Sequence, residues 1–348
     1  MSEDLIEAMP IPAVLVEADG RIAVANGAAH TLFGDAIRGR HYITVLRQPT
    51  LLDAVERSIT QGISTKAQYL TKEAHRDITL LATCSSLQRG GVLISFEDRT
   101  AVEEAFQMRR DFVANVSHEL RTPLTALMGF IETLGGAAKD DAAARQRFLA
   151  IMGKEASRMN RLVADLLSLS RVEADERVRP TEQVEFTSLV RSVLNALSAL
   201  ADQEGKSLQV DLPDHALELP GDADQLSQVV TNLVENAIKY SPAGTHVTVA
   251  AEQVQNHPAI RQDALVLTVT DSGEGIDPVH IPRLTERFYR IDTHRSREMG
   301  GTGLGLAIVK HIVNRHRGRL RIQSEKGQGS VFSVILPTSP TRRARREN

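Results

Sequence analysis

Residues 112–134 read FVANVSHELRTPLTALMGFIETL. Val113, Val116, Leu120, Leu124, Leu127, Ile131 and Leu134 recur at steps of three or four, the spacing of an amphipathic helix with one apolar stripe. His118 lies off that stripe between Ser117 and Glu119, which predicts an exposed imidazole. Pro123 falls inside the periodic run. It deletes a backbone N–H and crowds the carbonyl of Glu119, so a kink is expected one turn beyond His118. A His-Glu pair on a helix also opens one class of zinc site. Thr122 stands where the second histidine would be required, and that reading fails.

Glu103, Phe106, Met108 and Arg110 run into this helix without a Pro/Gly linker, and Gly135-Gly136 should end it. A second helix is predicted from about Asp141 to Val172. Phe148, Met152, Met159, Leu162, Leu166 and Leu169 fit a heptad seam, with Glu155 as its polar interruption. Two stripes of this length exceed what one hairpin buries, so a four-helix bundle made by two copies is the expected solution. A seam packed on another part of the same chain is the alternative.

From Pro180 the elements alternate differently. A helix is predicted over Glu185–Ala201, a short strand over Leu208–Leu212, and a helix over Asp222–Tyr240 capped by Asp222. Leu226, Val229, Val230, Leu233 and Ala237 form its buried stripe. Asn232, Asn236 and Lys239 share the polar face; the amide oxygens suit a hard cation such as Mg²⁺ and the lysine suits phosphate. Leu265, Leu267 and Val269 alternate into Asp271, which places that carboxylate on a buried face in need of a donor. The amine of adenine is a fitting donor, and Gly273 and Gly275 allow a base to approach the backbone. Gly300-Gly301-Thr302-Gly303-Leu304-Gly305 precedes a helix from Ala307 to His316, an arrangement that presents backbone N–H groups to an anion. It matches neither a Walker A loop nor a dinucleotide fingerprint. Strands over Leu320–Gln323 and Val331–Leu336 follow. The arginine-rich end, 339–348, reads as a disordered basic tail.

At the other end, Val14, Val16 and Ala18 alternate before Asp19-Gly20, and Ile22 and Val24 after it, which predicts a hairpin with a type I′ turn. Asn26 can cap a short helix ending near Phe33-Gly34. A helix over Leu51–Ile59 and strands over Ala67–Leu70, Asp77–Thr83 and Val92–Phe96 complete this region. This pattern resembles a PAS sensor domain, and Asp98-Arg99-Thr100 resembles that family's exit motif. His30, His41 and His75 read as solvated side chains sooner than haem ligands.

The 348 residues, 42% hydrophobic and 24% charged, suggest two or three soluble domains, and a net charge of −3 gives no basic footprint for nucleic acid. One cysteine, Cys84, excludes an intrachain disulfide and a Cys-x-x-Cys site. No apolar run approaches the roughly 18 residues of a membrane span, and the N-terminus has no secretory pattern, so a cytoplasmic chain is expected.

Ser117-His118-Glu119-Leu120-Arg121-Thr122-Pro123-Leu124 resembles the phospho-acceptor box of bacterial two-component sensor histidine kinases. The later blocks resemble, in order, the N, G1, F and G2 boxes of that family's ATP-binding domain, so the likeness covers residues 101–337. The hairpin sequence and the DLLSLSRVE end of its second helix resemble the phosphate-regulon sensor kinases, whose usual N-terminal membrane anchor is not read here. The resemblance implies a multidomain α+β chain: a PAS-like α/β sensor (1–100), a dimerisation and phosphotransfer hairpin (101–175), and a GHKL-type α/β sandwich that binds ATP (180–338). It implies that Mg·ATP phosphorylates His118, and that the phosphoryl group passes to the receiver aspartate of a response regulator. Phosphatase activity toward that regulator and a role in phosphate starvation are implied with it.

By the same resemblance, Glu119 polarises His118, although adjacent residues on a helix do not face each other. Thr122 orients hydrolytic water; from physics alone it could equally bond back to the carbonyl of Ser117 or His118. Arg290, in Phe288-Tyr289-Arg290, reaches the γ-phosphate. Asn232 and Asn236 contact Mg²⁺ and phosphates beside Lys239 and Tyr240. Asp271 takes adenine, Gly273 and Gly275 shape its pocket, and Gly301, Gly303, Leu304 and Gly305 cradle phosphates under a mobile lid. A membrane-bound sensor or transporter is a candidate further partner, through which the chain would associate with a membrane. Three alternatives remain: a family member serving another signal, an ATP-driven machine or serine kinase on the same nucleotide fold, and a non-catalytic scaffold. Acid-labile phosphate and Mg·ATP binding separate them.

Overall fold

Alternating apolar residues build two five-stranded sheets, and helical periodicity accounts for most of the remainder. The computed structural model describes residues 2–73, 76–88, 90–291 and 301–338. His75, Gly300 and the expected tail 339–348 lie outside them. The chain divides into two units, Met1–Ala114 and Asn115–Asn348.

In the first unit, α1 (Ser2–Glu7) precedes β1 (Ala13–Val16) and β2 (Ile22–Ala25); α2 (Gly27–Phe33), α3 (Tyr42–Leu46) and α4 (Pro49–Gln61) follow. Then come β3 (Thr65–Glu73), β4 (Arg76–Ser86) and β5 (Val92–Asp98), giving the antiparallel order β2-β1-β5-β4-β3. The strand pair, helices and three strands thus come in the expected sequence, with α1 and α3 as additions. The β1–β2 connection is a correction. Glu17 to Arg21 form a longer loop closed by Glu17 N–H to the Arg21 carbonyl, and of Asp19-Gly20 only the glycine is left-handed. The Asp19 carboxylate accepts from Arg21 N–H at 2.9 Å, and this local bond replaces the two-residue I′ geometry.

Asn26 is the polar centre of this unit. Its Oδ1 accepts from Ala13 N–H (3.0 Å) and Ala29 N–H (2.9 Å), while Nδ2 donates to the carbonyls of Met9 (3.0 Å) and Ile11 (2.8 Å). One amide therefore caps α2 and fastens the segment entering β1. Phe33, Tyr69 and Phe96 pack edge to face nearby. At the exit, the Asp98 carboxylate accepts from Thr100 N–H (2.8 Å), and the Thr100 hydroxyl accepts from Thr79 N–H (3.0 Å). Those bonds from Thr100 hold the Asp98 carboxyl below its usual range.

Helix α5 (Thr100–Gly135) starts there and runs on through Pro123. It leads to α6 (Ala142–Asp175), capped by Asp141, whose carboxylate accepts from Ala144 N–H at 2.9 Å. Phe130 stacks on Phe148 (5.2 Å between centroids) and Glu119 pairs with Arg158 (2.9 Å), so moving forward along α5 means moving back along α6. Leu162 and Leu169 of the seam are buried.

The remaining elements are β6 (Gln183–Glu185), α7 (Phe186–Gln203), β7 (Ser207–Asp211), β8 (Glu218–Pro220), α8 (Ala223–Tyr240), β9 (His246–His257), β10 (Gln262–Asp271), α9 (Gly305–Arg315), β11 (Arg319–Ser324) and β12 (Ser330–Pro337). Five of these strands form the order β11-β12-β10-β9-β7, antiparallel except for β7 beside β9. Helices α7, α8 and α9 pack on this sheet to make an α/β sandwich. The expected α+β architecture is the one found.

Replacing Asn26 by alanine removes four bonds at a buried site, one of them the helix cap. A loss of about 2–3 kcal/mol is expected. Amide exchange in β1 and α2 would then quicken by roughly a hundredfold, and unchanged exchange would refute the role assigned to Asn26.

Candidate functional site

Helices α8 and α9 are pinned to each other at two points. At the start of α8, the Asp222 carboxylate accepts from Gln225 N–H (3.2 Å) and pairs with Arg315 (3.1 Å). The Asp222 N–H donates to Nε2 of His316 (3.0 Å), whose Nδ1–H donates to the Ile312 carbonyl (2.8 Å). The two bonds specify one neutral tautomer, and burial pushes the imidazole pKa down. Further along α8, Asn232 Nδ2 donates to the Gly305 carbonyl at 3.3 Å. The antiparallel pairing sets Asn232 against the start of α9, with Asn236 and Lys239 further along the same half-buried face of α8.

In that turn Gly303 has φ +73°, and a Cβ there would come within 2.9 Å of the Phe288 backbone. Phe288 N–H donates to the Gly303 carbonyl (2.8 Å), with Phe288 itself at φ +64°. A left-handed phenylalanine is uncommon and strained, a feature that collects at functional sites. Thr302, between Gly301 and Gly303, accepts from Leu304 N–H (3.3 Å) and donates to Asp165 Oδ2 on α6 (2.7 Å). Burial raises the Asp165 carboxyl pKa, and the Thr302 bond partly offsets it.

A second turn closes the site beyond β10. Asp271 is buried, and burial pushes its carboxyl up even though Oδ1 accepts from Gly273 N–H at 2.8 Å. A Cβ on Gly273 would lie 2.7 Å from the Tyr240 carbonyl, and one on Gly275 would collide with the Glu325 carbonyl. Bare backbone therefore meets the end of α8 and the β11–β12 turn. Tyr240 is half exposed there, and Lys239 pairs with Glu235 at 3.0 Å.

The phospho-acceptor candidate His118 is exposed on α5, and the Thr122 hydroxyl donates to its backbone carbonyl at 3.1 Å. That is the back-bonding alternative for Thr122. The Glu119 carboxylate is shared by Arg158 (2.9 Å) and Arg290 (3.2 Å), and the Arg290 side chain is 6% exposed. Arg290 is thus brought beside the residue that adjoins His118. Sequence reasoning missed Arg158, Asp165 and the conformation of Phe288. The ion-pair partner was detectable: Arg158 follows the polar break at Glu155 by one turn, and the two pair at 3.8 Å.

The donors fit an adenine nucleotide. Backbone N–H groups at a helix start and the Lys239 ammonium suit phosphates, and a buried carboxylate suits an amine. Among the described residues no cluster of three or more His, Cys, Asp or Glu side chains could cage a metal. A divalent ion held here would rest on the Asn232 and Asn236 amide oxygens and on phosphate oxygens, a mixed shell typical of Mg²⁺.

Residues 108–175 match the family model described as His Kinase A (phospho-acceptor) domain. Residues 221–340 match histidine kinase-, DNA gyrase B-, and HSP90-like ATPase. The chain is 41% identical over 257 residues to the phosphate regulon sensor protein PhoR of Pseudomonas aeruginosa, covering 73% of this chain and 56% of that protein. It is 34% identical over 332 residues to the sensor histidine kinase WalK of Bacillus subtilis, covering 92% and 53%. The chain thus spans little more than half the length of these relatives. Among solved structures, the Acinetobacter baumannii histidine kinase AdeS superposes with a TM-score of 0.50 at 28% identity, covering 64% of this chain and 98% of that one. The histidine kinase ThkA, crystallised with the response regulator protein TrrA, shares the fold with a TM-score of 0.54 at 22% identity, covering 99% and 100%.

Because burial raises the Asp271 pKa, the folded chain binds its proton more tightly than the unfolded one. The contribution of Asp271 to stability is therefore greatest below the unfolded value near 3.8 and is lost as pH rises through the folded pKa, leaving a penalty from this one group at neutrality. Asp271→Asn removes that penalty. It should raise the ligand-free Tm at pH 7 by about 2–4 °C while lowering adenine-nucleotide affinity at least about tenfold. Calorimetry and nucleotide titration check the pair; a lowered Tm with intact binding would refute the assignment.

Proposed function

The chain belongs to the two-component sensor histidine kinases, and on that footing we propose that it phosphorylates His118 from Mg·ATP and passes the phosphoryl group to an aspartate of a response regulator. The observation that carries this reading is the Arg290–Glu119 pair, which joins an arginine of the nucleotide domain to the neighbour of the acceptor histidine. An imidazole nitrogen of His118 attacks the γ-phosphorus, the bond to the β,γ-bridging oxygen breaks, and ADP departs. Transfer of this kind depends chiefly on position and charge. Asn232 and Asn236 would hold Mg²⁺, which when bound neutralises phosphate oxygens. Lys239 and Arg290 add positive charge, Gly301, Gly303, Leu304 and Gly305 present N–H groups, and Asp271, Gly273 and Gly275 receive adenine beside Tyr240.

Residues 1–100 are assigned to a PAS-like sensor, 101–175 to the phosphotransfer hairpin and 180–338 to the ATP-binding domain. Exposed Leu124, Met128, Ile131, Leu149 and Leu167 on the hairpin favour a homodimer. The likeness to PhoR favours phosphate-starvation signalling, and the pairing of ThkA with TrrA favours a receiver-domain partner. No helix among the described residues is long and apolar enough to cross a membrane; a cytoplasmic site of action, with membrane association through a partner, is part of the proposal.

His118→Gln is expected to abolish labelling from γ-labelled ATP while leaving nucleotide binding intact. Full labelling of the variant would sink the assignment. For Thr122 the proposal is phosphatase activity: Thr122→Ala should keep autophosphorylation near the parent rate and slow regulator dephosphorylation several-fold. Equal losses in both would assign the hydroxyl to helix shape through its bond to the His118 carbonyl.

A further inference from the structure

Arg290, which the proposed function assigns to the nucleotide phosphates, and Thr302, inside the glycine turn assigned to them, are both held by carboxylates of the hairpin. Arg290 sits on Glu119 of α5 at 3.2 Å. Thr302, flanked by the phosphate-cradling glycines, donates to Asp165 of α6 at 2.7 Å. The charged groups whose fields reach Asp165 are Arg161 on its own helix and Glu235 and Lys239 on α8. Asp165 therefore places a carboxylate between the glycine turn and the lysine of the polar face. Ser168, one turn on, donates to Gln228 of α8 at 2.7 Å and keeps this stretch of α6 against the same helix. Thr302 is buried with the hairpin against it, so its hydroxyl needs the acceptor that Asp165 supplies.

We propose that Asp165 acts as an internal substitute for a nucleotide phosphate, so that docking of the hairpin on the nucleotide domain and binding of ATP compete for Thr302. The proposal rests on the reading of Gly301–Gly305 as the phosphate site. An anionic oxygen of a phosphate and an oxygen of Asp165 offer Thr302 the same acceptor, and their like charges exclude each other at close range. Glu119 does for Arg290 what Asp165 does for Thr302, so two helices of the hairpin hold the site by one chemistry. Asp165 is a positioning residue: it sets nucleotide affinity through the loop it occupies and takes no part in the transfer.

The test uses the full chain carrying His118→Gln, so that no phosphate is transferred, and a fluorescent ATP analogue with Mg²⁺ followed by anisotropy. Asp165→Asn keeps an acceptor for Thr302 and removes the charge; it should tighten binding about tenfold, whereas Asp165→Glu should bind as the parent does. Saturating nucleotide should also speed amide exchange in residues 161–169 of the parent. Unchanged or weaker binding in the asparagine variant, with normal binding by the parent, overturns this inference alone. Failure of the parent to bind the analogue overturns the nucleotide-site reading and this inference with it.

Discussion

A carboxylate at the end of an apolar strand is the constraint around which the second unit is arranged. Leu265, Leu267 and Val269 carry β10 through the core, and period two then delivers Asp271 to the same buried side. A buried charge has to be met by donors. Gly273 N–H supplies one by turning the chain back immediately, and Ser330, opposite Asp271 across β12, supplies another. The sharp turn is possible only for residues without side chains, and it brings the strand end under the carbonyl of Tyr240. The sheet, the end of α8 and the β11–β12 turn therefore converge on one carboxylate.

Several ion pairs join the hairpin to this domain. Besides Glu119 and Asp165, Glu173 binds Arg287 at 2.6 Å, and Glu176 lies 3.1 Å from His311 of α9. These pairs are partly exposed, and each contributes modestly. Partly exposed contacts of this kind suit an interface that can part, because the loss of any one of them is small.

Elements with strong periodicity were legible. The stripes of α8 and β10, the Asp222 and Asn26 caps and the hairpin helices all follow from local spacing. Asn232 was legible as a residue with a task, because asparagine on a helix face gains nothing from propensity. Other features depended on distant partners. Asp165 reads as an ordinary exposed acid until Thr302 is placed beside it 137 residues away. The β1–β2 loop was misread because an Asp-Gly pair signals a tight turn, while the Asp19 side chain captured Arg21 N–H and lengthened it. β9 escaped notice because its second half, Ala250 to Asn256, is poor in β-branched and aromatic residues and is held by its pairing to β10. The left-handed backbone at Phe288 has no local signature at all; it follows from the neighbouring Gly303.

The glycine turns around Asp271 also bear on how this protein can evolve. Side chains at Gly273, Gly275 or Gly329 would run into the carbonyls of Tyr240, Glu325 and Asp271, which are backbone and cannot step aside. Single substitutions at these positions would cost the fold. An inhibitor that reads Asp271 and this main-chain surface would consequently meet few viable resistance mutations in its direct contacts. Escape would have to arise at a distance, among the side chains that govern how the hairpin docks.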